Sequence, residues 1–592
     1  MPELLRRVRV SLTNLRARQT AESRVHKHPP RRPEGNLQQQ VDSSLPAALL
    51  TAPGIVSVHA EGGVRAARCG DNGTVLRARE ENLRVVERVL DEARVEYFAV
   101  RGYSSKSAVV GVSAERRDVV IGALAREAQN EPLYVSAPAE QSAIGYAGQP
   151  GTWASLVQEQ VIRITVFHAC ATDSSVLGTQ YGCDIEFWEE VGDELVAPRN
   201  NRITDRVPRT EAATEAPGHL FTEFASADNM PPIQRVRTRQ EFTVPLSTDF
   251  HFPVDAVYTW VDGADPDWQQ RRAGVQKKPF HPQADCAERY QNRDELRYSL
   301  RSLERFAPWI QHVYLVTDQQ VPAWLNTQHP KVTVVDHREI FTDPGALPTF
   351  NSHAIESQLH HIPGLAEHFL YFNDDFFLGR SIAPGGFFLA NGTARYFPSR
   401  ALLPTGPPTV DDEPVSVAGK NNRALLEARF GTVITQKMKH APCALRRSTL
   451  YEIEEVFAEE HAHTARSKFR SEQDLSIPTS LHPHYAFLTG RAVPSTLRYE
   501  YISLSAVDAT AKMERLLRKR NCHTFCLNDV VADASEQEQQ GGVDPKLISN
   551  FLQEYFPRAS VFEKDGDGAR RCRDGESLED GLSAFRPGAD AW

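Results

Sequence analysis

Long apolar runs and an excess of positive charge are both missing from this sequence. No segment approaches the roughly 20 consecutive apolar residues that a membrane-spanning helix needs. The first residues, MPELLRRVRVSLTNLRARQ, have no apolar core of the kind that a signal peptide carries. The net charge of -10 argues against a dedicated nucleic-acid-binding protein, which normally has a basic excess. We therefore expect a cytoplasmic protein with no nucleic-acid partner.

Cysteine is also scarce, with 8 in a chain of 592 residues. Only Cys522 and Cys526 lie close together in sequence, and no second pair completes a zinc site. Scattered cysteines are typical of reduced thiols in a cytoplasmic protein.

Changes in composition predict four segments in a chain long enough for two or three domains. Residues 1–48 are polar and basic, which favours a flexible arm and linker. A short basic amphipathic helix in peripheral contact with an anionic membrane is the alternative for its beginning. We predict a separate α/β module of unknown role at 49–245, a second domain that carries the candidate chemistry at 250–560, and a flexible charged tail at 561–592.

The module at 49–245 contains no catalytic motif. Its segment CDIEFWEEV is predicted to be a strand, and four acidic residues in it surround Phe187 and Trp188. We interpret these residues as a solvated strand edge and not as a site: Asp184, Glu186, Glu189 and Glu190.

Strands and helices alternate from about 253 to 380, which predicts a mostly parallel sheet with flanking helices. Four predicted strands each end at an acidic position, namely Asp262, Asp318, Asp336 and the pair Asp374-Asp375. Such sheets bind ligands beyond the carboxyl ends of their strands. The set therefore predicts a ligand site at that edge, although Asp318 and Asp336 taken singly also fit a turn or a helix cap.

Two further patterns lie in this region. The predicted helix HAIESQLHHI places His353, Glu356 and His360 on one face, where metal ligands, a general base or a solvated surface all fit. Asp374 and Asp375 fit a divalent cation, because Mg²⁺ prefers carboxylate oxygens and substrate phosphates. We therefore expect Mg²⁺ or Mn²⁺ there, at the edge of a nucleotide-sugar-transferase-like sheet.

Long contiguous strings from about 255 to 557 resemble the four conserved regions of the Stealth family. The strings that carry the resemblance are VDAVYTWVDGADPDW, RDELRYSLRSLERFAPWIQHVYLVTD, LPTFNSHAIESQLHHIPGLAEHFLYFNDDFFLG, HAPCALRRSTLYEIEEVF, SKFRSEQDLS and FCLND. That family includes bacterial capsule and exopolysaccharide phosphotransferases and the catalytic subunit of the animal enzyme that transfers N-acetylglucosamine-1-phosphate.

The resemblance implies transfer of a hexose-1-phosphate from a UDP-sugar donor to a hydroxyl of a polysaccharide or other glycan acceptor, with release of UMP. It also implies that the residues at the positions of Glu356 and Asp375 are essential. We expect Glu356 to accept the acceptor proton and Asp375 to hold the cation, with Asp374 able to serve in either role.

Other residues are expected to contact substrate. Arg297, Arg301 and Arg470 are candidates for a phosphate clamp, and a solvated helix face is the alternative for the first two. Arg470 aligns with a functional histidine of the animal enzyme, so His482 and His484 are nearby substitutes, with a surface position as the alternative. The predicted substrate-binding residues are Asp262, Asp294, Arg297, His353, Arg470, His484, Asn528 and Asp529.

Two other functions remain open on the sequence. A conventional metal-dependent glycosyltransferase moves the sugar alone and releases UDP; the motif strings favour phosphotransfer over it. A catalytically silent glycan-binding protein is disfavoured by the intact Glu356, Asp374 and Asp375, because buried acids without a ligand are costly.

Overall fold

The computed structural model describes most of the chain from residue 45 onward. The described ranges are 45–70, 73–139, 142–170, 173–225, 234–276, 290–409, 411–528 and 543–564. They belong to one compact unit. The predicted arm up to residue 44, the tail from 565 and Asp529 lie outside these ranges. Among the described residues, no helix combines the length and the apolarity that crossing a bilayer requires.

The N-terminal module is α/β, as predicted. Its strands are β1 Ile55–Ala60, β2 Gly63–Cys69, β3 Tyr97–Ala99, β4 Ala108–Ser113, β5 Tyr134–Ser136, β6 Gly145–Tyr146, β7 Val161–Thr165, β8 Phe167–Cys170, β9 Asp173–Leu177, β10 Cys183–Val191, β11 Glu194–Val196, β12 Arg206–Pro208, β13 Thr214–Pro217 and β14 Arg235–Thr238. Its helices are α1 Ala47–Leu50, α2 Val75–Glu92, α3 Arg117–Glu127 and α4 Pro150–Ala154. One sheet has the order β1-β2-β8-β9, and the other runs β13-β14-β3-β4-β10-β7-β5-β6.

The acidic residues of β10 do not form a solvated edge, so that interpretation was wrong for two of the four. Asp184 and Glu186 are each 1% exposed, because β10 lies inside the sheet between β4 and β7. Arg199 bonds both carboxylates, at 2.8 Å from Asp184 Oδ2 and 2.6 Å from Glu186 Oε1. Only Glu189 and Glu190, toward the end of the strand, reach solvent.

The C-terminal domain, from residue 250, is built around a five-stranded sheet. Its strands are β15 Val254–Thr259, β16 Val313–Thr317, β17 Val332–Asp336, β18 His368–Asn373, β19 Phe376–Leu378, β20 Ala394–Tyr396, β21 Pro398–Leu402, β22 Gln436–Met438, β23 Cys443–Arg446, β24 Ala492–Pro494, β25 Tyr499–Ser503 and β26 Thr524–Asn528. The central order is β17-β16-β15-β18-β23. All neighbours in it are parallel except β23, which confirms the predicted mostly parallel sheet.

Helices cover both faces of this sheet. They are α5 Pro266–Val275, α6 Glu295–Phe306, α7 His337–Ile340, α8 Ser352–Glu356, α9 Pro414–Phe430, α10 Arg447–Val456, α11 Ala458–Arg466, α12 His482–Leu488, α13 Ala509–Lys519 and α14 Pro545–Tyr555. Successive residues of β15 point into different cores: Ala256 and Tyr258 into one, Val257 into the other. This period of two explains why the strand is apolar on both sides.

The N-terminal module shares part of its packing with the C-terminal domain. Leu177 and Tyr181 belong to the same buried apolar cluster as β15 and α6. The Tyr181 hydroxyl also lies 2.8 Å from Ser381 Oγ. The two regions therefore pack through both apolar and polar contacts.

The predicted continuous helix from His353 to Ile362 is divided in the structure. The α-helical segment α8 ends at Glu356, and a single 3₁₀ turn covers Leu359–His361. The change of helical type alters the rotation per residue. His360 therefore does not share the face of His353 and Glu356, contrary to the sequence prediction.

Candidate active site

A cavity of about 270 Å³ lies at the carboxyl edge of the five-stranded sheet. The residues that follow the four parallel strands line it, and these are Trp260, Asp318, His337 and Asp374. Parallel sheets bind ligands at this edge because the strand ends and the loops after them are open there.

A second cavity, of about 450 Å³, adjoins the first. Its wall includes His353, Phe376 and the residues 436–441 that contain β22. Both cavities are lined by the same four polar residues, which are Glu356, Asn373, Arg470 and Asn528. The two cavities thus meet at side chains from four separate parts of the chain.

Glu356 is 6% exposed at this junction. Its Oε1 lies 3.2 Å from the Tyr371 hydroxyl, which is also 2.8 Å from Asn373 Oδ1. Its Oε2 is buried and makes no hydrogen bond within the described part of the chain. Burial raises the pKa of Glu356 to about 7, against the opposing charge of Arg470 and the Tyr371 hydrogen bond. A carboxylate with such a pKa exchanges a proton readily near neutral pH.

Besides Glu356 and Asp318, three carboxylates line the first cavity, namely Glu295, Asp374 and Asp375. Burial raises the pKa of Asp375 to about 7, partly offset by a hydrogen bond that Cys526 Sγ donates to Oδ2 at 3.2 Å. Burial also raises the pKa of Asp374 well above its ordinary value, and the charges of Glu295 and Asp375 raise it further. Burial is likewise the main cause of the raised pKa of Glu295.

This group of acids fits a divalent cation. Asp375 Oδ1 is buried and has no hydrogen-bond partner among the described residues. The charge of Glu295 raises the pKa of both aspartates, and that of Asp375 raises the pKa of Asp374. A dication held by the aspartates would relieve this repulsion and satisfy Asp375 Oδ1. Carboxylate oxygens are also the donors that Mg²⁺ and Mn²⁺ prefer.

Cationic side chains stand beside the acids. Arg293 and Arg470 both line the first cavity, and Arg470 lines the second as well. Arg470 Nη2 donates to Ser352 Oγ at 2.8 Å, which directs the guanidinium toward α8. Two planar, permanently charged groups in the lining of one cavity suit recognition of phosphate oxygens.

Four aromatic residues also line the first cavity, namely Trp260, Trp268, Tyr290 and Phe350. The Trp268 ring is centred 5.0 Å from Tyr290 and 5.2 Å from Phe350. Flat apolar surfaces of this kind accommodate a planar ring such as a nucleobase.

The structure brings together only some of the predicted substrate-binding residues. Arg470 and Asn528 line both cavities and His353 lines the second. Arg297 and Arg301 instead bond Glu563, at 2.5 Å and 2.8 Å from its carboxylate. This pairing holds the described residues after α14 against α6.

The remaining predicted positions within the described ranges do not line either cavity. Asp262 Oδ1 accepts the Ala264 N–H at 3.0 Å in a turn. Asp294 is exposed and precedes α6 with a positive φ of 62°. His484 is buried, and its Nδ1 lies 2.8 Å from the Ser480 carbonyl oxygen. Asp336 forms the capping box of α7 with Glu339, the helix-cap role that the sequence also allowed.

Sequence reasoning missed Glu295 and Tyr371. Glu295 directly follows Asp294, a predicted substrate-binding residue, but an acidic residue in the first turn of a helix is common and does not by itself indicate a site. In the sequence, Tyr371 is not distinguished from the apolar residues of β18. Only the position of each beside Asp374 or Glu356 distinguishes it.

Models of four conserved regions of Stealth proteins match the chain. Region 1 matches residues 252–278, region 2 residues 289–396, region 3 residues 439–487 and region 4 residues 514–574. All four residues that line both cavities lie within these regions, namely Glu356, Asn373, Arg470 and Asn528.

Curated relatives extend well beyond those regions. An exopolysaccharide phosphotransferase of Streptomyces coelicolor is 46% identical over 528 residues, 85% of this chain and 87% of its own. A second from that organism is 47% identical over 495 residues, 83% of each chain. The exopolysaccharide phosphotransferase CpsY of Mycobacterium tuberculosis is 33% identical over 526 residues, 88% of this chain and 94% of its own. Alignments this long include much of the N-terminal module.

Solved structures are only distantly similar. The galactosyltransferase LgtC, in complex with donor and acceptor sugar analogues, aligns with 50% of this chain and 95% of its own at 10% identity, with a TM-score of 0.27. The glycosyltransferase GlyE of Streptococcus pneumoniae aligns with 52% of this chain and 64% of its own at 10% identity, with a TM-score of 0.25. Likenesses this weak carry no argument about the fold or the activity.

Proposed function

The chain belongs to the Stealth family, and on that premise we propose that it is an exopolysaccharide phosphotransferase. In this proposal it transfers a hexose-1-phosphate from a UDP-sugar to a glycan hydroxyl, forms a phosphodiester and releases UMP. The observation that carries the proposal is the junction of two cavities at Glu356. Its buried Oε2 has no hydrogen-bond partner among the described residues, and Asp374 and Asp375 line the first of these cavities.

The first cavity is the proposed donor site. Its aromatic wall, with Trp268 and Tyr290, suits the uracil ring, and Arg293 and Arg470 suit the diphosphate. Asp374 and Asp375, with Glu295 beside them, are the residues that would hold Mg²⁺ or Mn²⁺. When bound, such a cation neutralises the diphosphate and stabilises charge on the departing UMP oxygen.

The second cavity is the proposed acceptor site. Lys437, Lys439 and His440 contribute to its wall, together with Tyr501. Tyrosine and histidine rings pack against sugar faces, and the lysines favour an acceptor that already carries phosphodiester charge. A hydroxyl in this cavity approaches the junction from the side opposite the nucleotide.

In this reaction the protein has to position the two substrates and accept one proton. The acceptor oxygen forms a bond to the sugar-bearing phosphorus while the bond to the UMP oxygen breaks in line. Glu356 Oε2 accepts the proton of the attacking hydroxyl, and Tyr371 orients the carboxylate through Oε1. A base placed in this way typically contributes about 10²–10⁴-fold to the rate.

The nucleotide that is released tests this proposal. Purified protein is incubated with Mg²⁺, a panel of UDP-hexoses and a glycan acceptor, and UMP is separated from UDP. We expect UMP that depends on acceptor and disappears in Asp375→Ala but not in Asp336→Asn, which changes the strand-end acid that caps α7. UDP in place of UMP contradicts the proposal in favour of a conventional glycosyltransferase. Donor binding without either nucleotide would indicate a silent binding protein.

We further propose action at the inner face of the membrane, in the cytoplasm, because exopolysaccharide assembly uses nucleotide sugars there. The basic residues 1–48 are the candidate membrane contact. Co-sedimentation with anionic vesicles, and its absence with neutral ones, is the expected result.

A further inference from the structure

A cluster of histidines surrounds Glu454 outside both cavities. His360 and His361 lie on the 3₁₀ turn after α8, Glu454 lies on α10 and His461 on α11. The side chains of His360 and His461 are 1% and 3% exposed, whereas that of Glu454 is 31% exposed. The cluster is therefore buried on the histidine side and accessible to solvent through the carboxylate.

Three imidazole nitrogens converge on this one carboxylate. His360 Nε2 lies 2.6 Å and His361 Nε2 3.0 Å from Glu454 Oε2. His461 Nδ1 lies 3.9 Å from Oε1. One ligand atom from each of His360, His361 and Glu454 falls within 4.8 Å of the others.

The far nitrogens of two rings establish which nitrogens carry protons. His361 Nδ1 is 3.0 Å from the Ile340 carbonyl oxygen, and His461 Nε2 is 3.0 Å from the Ser357 carbonyl oxygen. A carbonyl oxygen can only accept, so these nitrogens are the protonated ones in a neutral ring. In the neutral rings, the nitrogens of His361 and His461 that face Glu454 then present lone pairs to the carboxylate lone pairs, an arrangement that a proton or a metal ion between them relieves.

Two arrangements place a proton or a metal ion there. In one, His361 is an imidazolium and a neutral His360 donates its Nε2–H to Glu454. A metal ion instead uses the lone pairs directly, and hydrogen bonds from the far nitrogens to backbone carbonyls are the usual support of metal-bound histidine. The far nitrogen of His360 makes no hydrogen bond in the described ranges, and its ring is held by edge-to-face packing on Tyr451.

We propose that His360 Nε2, His361 Nε2 and the Glu454 carboxylate bind one Zn²⁺-like divalent ion, with His461 Nδ1 facing the fourth position. Tetrahedral zinc with Zn–N bonds of about 2.0–2.1 Å places its ligand atoms about 3.3 Å apart. The two Nε2 atoms lie 2.6 Å and 3.0 Å from Glu454 Oε2, so the three side chains would separate slightly when the ion binds. Imidazole-rich sites suit zinc and other transition metals, whereas Mg²⁺ prefers oxygen donors.

Such an ion would affect the proposed active site by fixing the position of the segment that presents Glu356. His461 bonds the carbonyl of Ser357, the residue directly after Glu356. His360 and His361 follow three residues later, and the metal would tie this turn to α10 and α11. The proposed site is therefore a structural clamp on the segment that presents Glu356, distinct from the cation at Asp374 and Asp375.

Metal binding by the full-length protein tests the inference without reference to activity. The protein is stripped with a chelator and titrated with Zn²⁺ in the presence of excess Mg²⁺, and bound zinc is counted by elemental analysis. We expect one tight site per chain in the unchanged protein and in Asp375→Ala. We expect the Kd to rise more than about 100-fold in Glu454→Gln, since even outer-shell changes cost about 10–100-fold.

Two matched controls lie on the same helices. Glu455→Gln and His463→Gln make the same kinds of change at exposed neighbours of Glu454 and His461, and should leave binding intact. Stripped protein loaded with Co²⁺ should show the visible absorption of a tetrahedral site, lost in His361→Gln. Far-UV circular dichroism checks that each variant is folded.

Two results would overturn the proposal. One is the absence of stoichiometric zinc binding in the folded, unchanged protein, which would leave the imidazolium arrangement. The other is undiminished binding in a folded Glu454→Gln, which would place the metal elsewhere. Because the assay reads bound metal and not UMP, its failure is distinguishable from failure of the proposed transferase activity.

Discussion

The N-terminal module and the C-terminal domain both bury carboxylates, and they differ in what surrounds them. In the module, Asp184 is bonded by Arg163 at 2.6 Å and by Arg199 at 2.8 Å, and Glu186 by Arg199 at 2.6 Å. In the cavity of the C-terminal domain, Asp375 receives one thiol hydrogen bond and keeps a buried oxygen without a partner among the described residues.

The presence or absence of arginine partners distinguishes buried acids that stabilise the fold from buried acids that are available to a ligand. A buried charge that is paired and hydrogen-bonded has its desolvation cost offset inside the protein. A buried acid without such pairing shifts its pKa instead, and its cost is offset only when a ligand or cation arrives. Clusters of the second kind are therefore the better guide to function.

The largest expected effect concerns the unpaired cluster. Asp375→Asn should lower the rate of UMP release by more than about 10³-fold, because a cation at a phosphoryl group supplies several kcal/mol. The same change should not lower the free energy of unfolding measured with urea in the presence of a chelator. A variant that retains activity within tenfold would contradict the role assigned to Asp375.

The paired cluster should respond in the opposite way. Arg199→Met leaves Asp184 and Glu186 with fewer partners, so we expect a loss of about 3 kcal/mol in the free energy of unfolding. This is the low end for a broken buried pair, because Arg199 itself is 36% exposed. The rate of UMP release, measured well below the melting temperature, should stay unchanged.

Arg206→Met is the matched control for Arg199→Met. The Arg206 and Glu194 side chains are 51% and 48% exposed, and exposed pairs contribute little to stability because water and salt screen them. Equal losses in the two variants would remove the distinction between buried and exposed pairs in this module.

The pH dependence of stability tests whether Glu356 behaves as an unpaired buried acid. The carboxyl of Glu356 has a pKa of about 7 in the folded state against 4.5 in the reference state. The unfolded chain therefore loses the proton first, and the stability of the unchanged protein should fall as the pH rises through this interval.

Glu356→Gln should remove this decrease of stability with rising pH, because glutamine does not ionise. We expect its free energy of unfolding to exceed that of the unchanged protein by about 2 kcal/mol at about pH 8 and to differ little at about pH 5. Urea titrations at the two pH values, in the presence of a chelator, measure this difference. A gain of equal size at both pH values would mean that Glu356 does not titrate in this range.

The smallest expected effect concerns the thiol beside Asp375. Cys526→Ala removes the hydrogen bond to Oδ2 and should lower kcat about 3–10-fold, as expected for one hydrogen bond of about 0.5–1.5 kcal/mol. Cys522→Ala makes the same change at a buried cysteine outside both cavities and should leave kcat unchanged. Equal effects would indicate general loosening of the packing and not an action on Asp375.

Local patterns account for the parts of the structure that were predicted correctly. Leu296, Leu300 and Leu303 recur at the spacing of an amphipathic helix, and they form the buried stripe of α6. The alternation of strands and helices predicts the parallel sheet, and the resemblance to Stealth proteins directs attention to Glu356 and Asp375. All of these signals lie within a few tens of residues.

The errors arise where distant segments meet. The interpretation of Asp184 and Glu186 as solvated required β10 to be an edge strand, and its neighbours β4 and β7 come from elsewhere in the chain. His360 was placed on the face of Glu356 because a 3₁₀ turn leaves no clear sign in the sequence. Arg297 faces Glu563, a partner that lies more than 250 residues away in sequence and that no spacing rule connects to it.

The sequence by itself determined the family, the parallel sheet and the acidic ends of its strands, because these depend on contiguous motifs and on periodicity. Only the tertiary structure decided which acids are paired and which face a cavity, since pairing depends on side chains that converge from separate segments. It also joined Glu356 to Arg470 and Asn528, and His360 to Glu454. Burial and convergence in space, and not residue type, distinguish a structural acid from a candidate catalytic one in this chain.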